Sequence, residues 1–283
     1  GLGYTNRLVN KGELQNTGIE ASLNLGVVRT EDFKLNLGLI FTKNTNKLLS
    51  LRGVDGDGDG REDDNIGNRW FIGRSLGGYF QRMGIGIFQV GEDIVNSAQP
   101  DAMPGDIKQL DVNVDGLIND DFDRVFTPGV ENWYGTVNLN MEYKGIDFSA
   151  NVNIVEGRTR FNNFLVGYSE GGSLRGIKNG IKQDYWTPEN PGGNFPRPSE
   201  ANDPQNLFTI ALQDASYVRL QNVSLGFSLP RTTLDLIGLN NLRVYVTGSN
   251  LLTYTDYQSF SPEKSPNEYP EAVTILTGLQ IGL

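Results

Sequence analysis

Two short acidic tracts hold the residue types whose spacing would do chemistry. Asp111, Asn113, Asp115 and Gly116 set oxygen ligands at every second position and a glycine at the sharp turn, the first half of a calcium loop. Leu117 would add its backbone carbonyl, and Asn119, Asp121 or Asp123 would complete the shell around a hard cation. The twelfth position of that loop is Phe122 rather than an acid, and one inserted residue would bring Asp123 into the role. Asp55, Asp57, Asp59 and Gly60 repeat the pattern in the run DGDGDGREDD, with Asp63 at the ninth position and Ile66 at the twelfth. Acids this dense repel one another unless a cation neutralises them. Both tracts are therefore expected to take Ca2+; the alternative for each is a solvated acidic turn.

Other chemistries are thinly supplied. The 283 residues include no histidine and no cysteine, which removes Ser-His-Asp and Cys-His catalysis, disulfides and the usual zinc sites. The net charge of −10 argues against a nucleic-acid partner. Gly73, Gly77, Gly78, Gly84 and Gly86 lack the lysine and helix of a phosphate loop and read as bends. The acids cluster with the spacing of ligands, not as the separated pair of a glycosidase, so no enzyme is expected. Loop aromatics remain: Trp70, Tyr79, Tyr185 and Trp186 are candidates to meet a ligand or partner protein, with loop packing as the plainer reading for Tyr185 and Trp186. Trp133, Tyr134, Tyr143, Tyr245 and Tyr254 read as an interfacial girdle.

The elements that would carry these groups are strands. Apolar residues alternate with polar ones at Ile19–Val27, Phe33–Phe41, Val137–Tyr143, Ile146–Ile154, a segment starting near Tyr217 and reaching Leu229, Leu242–Val246 and Val273–Leu283. Several of these seven segments reach about 10 residues, the length that crosses a bilayer at a barrel tilt. Their polar faces are rich in Asn, Ser, Thr and Gly, which suits a water-filled lumen. No run of roughly 18 apolar residues occurs, so no spanning helix is expected. Short connections (Arg29–Asp32, Lys144–Gly145) alternate with long ones, at 44–132 and 156–215, while Pro230–Asn241 has room for a helical turn. Short turns on one side and long loops on the other is the habit of outer-membrane barrels. Seven strands do not close such a barrel, and Gly1 has no initiator Met before it, so the chain is expected to be part of something longer.

Specific stretches carry a family resemblance. NKGELQNTGIEASL (10–23), PGDIKQLDVNVDGLINDDFDR (104–124), YKGIDF (143–148), SYVRLQNVSLGFSLP (216–230), LRVYVTGSNLLT (242–253) and Tyr269-Pro270 occur in order. Together they resemble the C-terminal part of SusC/RagA-type TonB-dependent outer-membrane transporters of Bacteroidetes. At the end, Gly278, Ile281 and Leu283 stand where the family usually finishes on an aromatic residue. The resemblance implies an all-β fold, residues 1–283 being a C-terminal arc of a large transmembrane β-barrel with long outer loops. It further implies TonB-driven import of an oligosaccharide, peptide or similar nutrient across the bacterial outer membrane. The partners it implies are a SusD-like surface lipoprotein, the TonB complex acting through an N-terminal part, and outer-membrane lipid. The competing reading is a secreted, calcium-dependent β-protein that binds a glycan or a protein, with the apolar strand faces as its core.

Overall fold

The computed structural model of the protein describes residues 11–163, 184–197, 207–264 and 268–283. The chain runs β1 (Glu13–Arg29), β2 (Phe33–Ser50), the short strands β3 (Tyr79–Gln81), β4 (Gly84–Ile87), β5 (Ile107–Gln109) and β6 (Val125–Thr127), then β7 (Trp133–Tyr143) and β8 (Ile146–Glu156). It continues through β9 (Thr159–Phe161), β10 (Leu212–Asp214), β11 (Tyr217–Ser228), helix α1 (Arg231–Ile237), β12 (Asn241–Thr255) and β13 (Thr274–Gly282). Seven of these strands form one antiparallel sheet in the order β1-β2-β7-β8-β11-β12-β13. They are the seven segments marked by the alternation. β2 runs on through Ser50, past residue 44 where the long loop was expected to start.

Register turns the alternation of each strand into two continuous faces. Leu25 pairs with Leu37, Leu37 with Leu139, Leu139 with Ala150, and Ala150 with Val223. The neighbouring row runs Leu35, Met141, Phe148, Leu225, Val246. Between these rows lies a polar one, Gly26, Asn36, Asn140, Ser149, Ser224 and Thr247, and beyond the Leu25 row lies another, Asn24, Gly38, Asn138, Asn151, Asn222 and Ser249. On the polar face side chains bond across strands. Asn151 Nδ2 donates to Asn138 Oδ1 at 2.6 Å, Ser249 Oγ to Asn222 Oδ1 at 2.8 Å, and Thr247 Oγ1 to Ser224 Oγ at 3.0 Å.

The turns explain why the strands reverse where they do. Lys144 and Gly145 both hold positive φ, 47° and 86°, as a two-residue hairpin turn of matching twist requires. At the β11–β12 turn, Pro230 precedes α1 with φ −60°, and Gly238 ends the helix in the left-handed region, its N–H donating to Leu234 O. Leu234 is buried, which holds this short helix against the end of the sheet.

Most of the buried core lies outside the sheet, which contributes only Leu48, Val155 and Tyr217, at the long-loop ends of β2, β8 and β11. Leu23, Leu25, Leu225, Phe227, Val244, Ile275, Leu279 and Ile281 are all exposed. Phe88, Ile94, Ile107, Trp186, Leu207, Ala211, Ala215 and Tyr257 are buried, and every one lies outside the seven strands, in the connections at the long-loop end. A sandwich would do the reverse, packing the apolar strand faces against a second layer.

Candidate functional site

The long β2–β7 connection is ordered by two nested hairpins, β3 with β6 and β4 with β5. Phe71 sits over Phe80 and Phe126, with ring centroids 4.6 and 5.3 Å apart, and closes the outer hairpin. The connections then lock together. Gln81 Nε2 donates to Phe208 O at 2.7 Å, Arg197 Nε to Asp106 Oδ1 at 2.6 Å, and Arg160 Nη1 to Pro262 O at 3.0 Å. One cap of three connections therefore sits at one end of the sheet.

The first acidic tract folds around its own carboxylates. Asp55 accepts from Gly58 N at 2.7 Å and Gly60 N at 3.0 Å, and both glycines hold positive φ. Asp63 Oδ2 accepts from Gly56 N at 2.8 Å. Oxygens of Asp55, Asp57 and Asp63 lie within 4.8 Å of one another, the only such group of three among the described residues. Asp59 is outside that group and accepts from Arg61 N at 2.8 Å. Next to it, Glu62 Oε1 accepts from Leu51 N (2.8 Å), Gly53 N (2.6 Å) and Arg52 N. These backbone bonds, Gly53 foremost, hold its carboxyl below the usual glutamate range. Each carboxylate oxygen has a second lone pair, so this donor set of hard oxygens fits a calcium ion.

The second tract uses the same first step. Asp111 Oδ2 accepts from Gly116 N at 2.9 Å, and Asp115 Oδ1 from Leu117 N at 2.9 Å. Asn113 Nδ2 donates to Asp115 Oδ2 at 2.8 Å, and Asn119 Oδ1 accepts from the N–H groups of Asp121 and Phe122. Asp123, fully buried, accepts from Val112 N at 2.9 Å and Asn119 N at 2.7 Å. It ties the two ends of the tract together from one residue beyond the twelfth position. Asp111, Asp115, Asp121 and Asp123 do not bring three carboxylates within 4.8 Å of one another.

The aromatic candidates separate by position. Trp186 is buried, with its indole N–H donating to Gln89 Oε1 at 2.8 Å, so it packs one connection on another. Gly105, at φ 93°, lies so close that a Cβ would meet its ring at 2.5 Å. Tyr185 stacks edge-on to Phe195, Tyr79 accepts from Phe161 N at 3.3 Å, and Trp70 is exposed. Of the five residues read as a girdle, Trp133, Tyr143 and Tyr254 share the apolar face, whereas Tyr134 and Tyr245 fall on the polar one, opposite Thr42 and Gly278. Two aromatic pairs mark the ends of the apolar face, Phe33 with Tyr143 (6.2 Å) and Phe41 with Trp133 (5.7 Å). Eight residue steps along β2 separate them, roughly 27 Å along the strand and roughly 20 Å along the normal at a barrel tilt. That matches an apolar band between aromatic girdles.

The polar face carries fixed charge at its short-turn end. Arg243 grips Asp147 with Nε–Oδ1 at 2.9 Å and Nη2–Oδ2 at 2.5 Å, reaching across β11. Gly226 lies beneath the pair, and a Cβ there would stand 2.5 Å from both groups. Lys34 and Glu142 pair at 2.8 Å on the same face. These charges were not singled out from the sequence, although their alternation with Phe33, Met141, Ile146 and Val244 placed them on the polar side.

An apolar outer face between aromatic girdles, a hydrogen-bonded polar inner face and a looped cap define an arc of a large transmembrane β-barrel. No family model matches the chain. TonB-dependent receptor P26 of Formosa agariphila is 31% identical over 303 residues, covering 99% of this chain and 30% of that protein. TonB-dependent receptor SusC of Bacteroides thetaiotaomicron is 25% identical over 286 residues, covering 96% of this chain and 27% of its own. The solved structure of the RagAB peptide transporter superposes with a TM-score of 0.75 at 23% identity, over 96% of this chain and 30% of that one. Along nearly its whole length the chain is similar to part of curated TonB-dependent receptors, SusC among them, and it shares the fold of part of the RagAB structure. It spans about three tenths of the length of the curated relatives it matches.

Proposed function

We propose that the chain forms one wall and much of the outer cap of a TonB-dependent importer in a bacterial outer membrane. The observation that carries this reading is the inverted burial: eight named strand residues of the apolar face are exposed while the packed core sits in the cap. A face of that kind is stable only against lipid, and its polar reverse side suits a wetted lumen. The homologues named as TonB-dependent receptors support the same reading. Import of an oligosaccharide, peptide or comparable nutrient, with a SusD-like lipoprotein over the cap, follows from that family likeness. The RagAB structure, described as a peptide transporter, supports it at the level of fold. Catalysis plays no part.

The acidic tracts serve this function as calcium loops that stiffen the cap. Asp55, Asp57 and Asp63 form the better-assembled oxygen set, and Asp111, Asn113, Asp115 and Leu117 form the second.

Membrane fractionation tests the whole. The protein should stay in washed outer membranes and leave them only in detergent, together with a lipoprotein partner. A protein monodisperse in buffer without detergent would overturn the reading.

A further inference from the structure

Beyond Thr42 the sheet has a gap. β2 stops pairing with β7 at Thr42 and Tyr134, while its other edge stays paired to β1 as far as Leu48. Leu48 bonds the long connection instead, its N–H donating to Arg74 O at 2.9 Å and its O accepting from Gly73 N at 2.7 Å. Backbone groups alternate between the two edges of a strand, so those of Asn44 and Asn46 face the same gap. A cavity of about 340 Å³ fills it, bounded by residues 43–47, by 73–75 and by the stretch from Phe126 to Asn132.

Three cations line this cavity, Lys43, Lys47 and Arg74, and none has an ion pair among the described residues. The one acid in the lining, Glu131, is taken by Arg158 at 3.1 Å. Arg74 lies over the Phe126 ring, 5.8 Å from its centroid, which limits where its guanidinium can go. Ser75 Oγ, also in the lining, is buried without a hydrogen-bond partner. In a chain of net charge −10, three cations without a counter-ion around an unpaired hydroxyl form a surplus that an anion would relieve.

The position of the cluster points to the kind of anion. Lys43 and Lys47 continue the outward row of Leu37, Leu39 and Phe41, since the β1–β2 register does not slip between Leu37 and Leu48. Phe41 and Trp133 mark the outer end of the apolar band. Two and six residues further on, Lys43 and Lys47 stand roughly 5 and roughly 15 Å above it along the normal at a barrel tilt. The headgroup layer of a bilayer is about 5 to 7 Å thick on each side, and a lysine stem is long enough to bring its ammonium back into it. On the polar side, Asn46 Oδ1 is occupied by Leu76 N at 2.7 Å.

We infer that this cavity binds a phosphate monoester carried on the headgroup of an outer-leaflet lipid. Such a phosphate brings close to two negative charges and three oxygens, which accept from guanidinium, ammonium and hydroxyl donors together. A carboxylate brings one charge and two oxygens to the same donors. Basic pockets beside membrane-spanning segments take lipid headgroups for this reason. The inference rests on the outward row facing lipid, as the importer reading requires.

The test uses the full receptor, extracted in detergent and stripped of lipid by detergent exchange. It is titrated with monophosphorylated lipid A and with the same lipid lacking its phosphate, and bound lipid is read by native mass spectrometry; inorganic phosphate is added as a competitor. The phosphorylated lipid should bind at least about tenfold more tightly than the dephosphorylated one, and equimolar inorganic phosphate should not displace it. Lys47→Gln and Arg74→Gln should each weaken binding about tenfold with unchanged melting, and Lys34→Gln, at the other end of the sheet, should leave it unaltered. Equal binding of the two lipids, displacement by equimolar phosphate, or indifference to both cavity substitutions would overturn the inference. A receptor that needs detergent yet shows no phosphate preference would sink the cavity alone, whereas one soluble without detergent would sink the importer reading as well.

Discussion

Arg219, buried on the polar face of β11, shares its guanidinium with Glu263 of the β12–β13 connection. Arg219 Nε also donates to Thr253 Oγ1 at 2.9 Å, and Tyr217 Oη donates to the other Glu263 oxygen at 2.5 Å. Glu271 approaches Arg219 Nη2 at 3.9 Å, so one arginine holds both ends of that connection. Arg219→Leu would leave Glu263 half-buried without its cation. We expect amide exchange in 256–264 to speed up by roughly 30- to 100-fold, about 2–3 kcal/mol, below the full value for a buried pair because Glu263 is partly exposed. Unchanged exchange there would show that the ion pair holds nothing.

The same contact sets a pH dependence. Burial pushes the Glu263 carboxyl up, but the Tyr217 hydroxyl and Arg219 outweigh it and hold the group below the usual range. A depressed folded pKa gives stability that is present above the unfolded value, about 4.3, and lost as pH falls through the folded one. Protection of 256–264 should therefore be flat from pH 8 to about pH 5 and fall in more acid buffer. Glu263→Gln should flatten that fall.

The two faces of β7 should respond oppositely to charge. Leu139 lies at the middle of the apolar band, and Asn140 is its neighbour on the polar side. Leu139→Arg should lower the stability of the folded protein in bilayers by about 2–4 kcal/mol, and Asn140→Arg by less than about 1. Urea titration of the heat-modifiable band reads both. Equal effects would contradict the assignment of faces.

Gly226→Ala puts a methyl group into the Asp147–Arg243 pair. Overpacking of this kind costs about 1–3 kcal/mol. The double variant with Arg243→Ala should recover much of the loss, because the arginine's retreat opens the space; the same urea titration checks it.

Calcium should raise the melting temperature of the cap and slow exchange in 51–66 and 111–123, with chelator reversing both. Asp57→Asn should remove the first effect and Asp115→Asn the second. Absence of any response to calcium would return both tracts to solvated turns.

Much of the wall was legible because period two survives from strand to strand. Where it broke, bulges were responsible. The register slips between Gly26 and Val28 and between Leu220 and Asn222, so Val27, counted with the apolar row, is the extra residue of a bulge. Trp133 and Tyr134 could not both join one girdle, since adjacent strand residues face opposite ways; that signal was in the sequence. The nested hairpins were not, because strands of three or four residues, such as β3 and β5, show no period. The basic cavity unites side chains from three separate stretches, and only the folded chain brings them together.

The polar ladder from Asn24 to Ser249 gives the inner wall a particular kind of smoothness. Along any strand the next rung of amides and hydroxyls lies about 7 Å away. A solute sliding over it trades one weak bond for another of much the same strength. In the proposed importer such a surface would offer a solute no deep resting place and no downhill slope, so direction would have to be imposed on it from elsewhere.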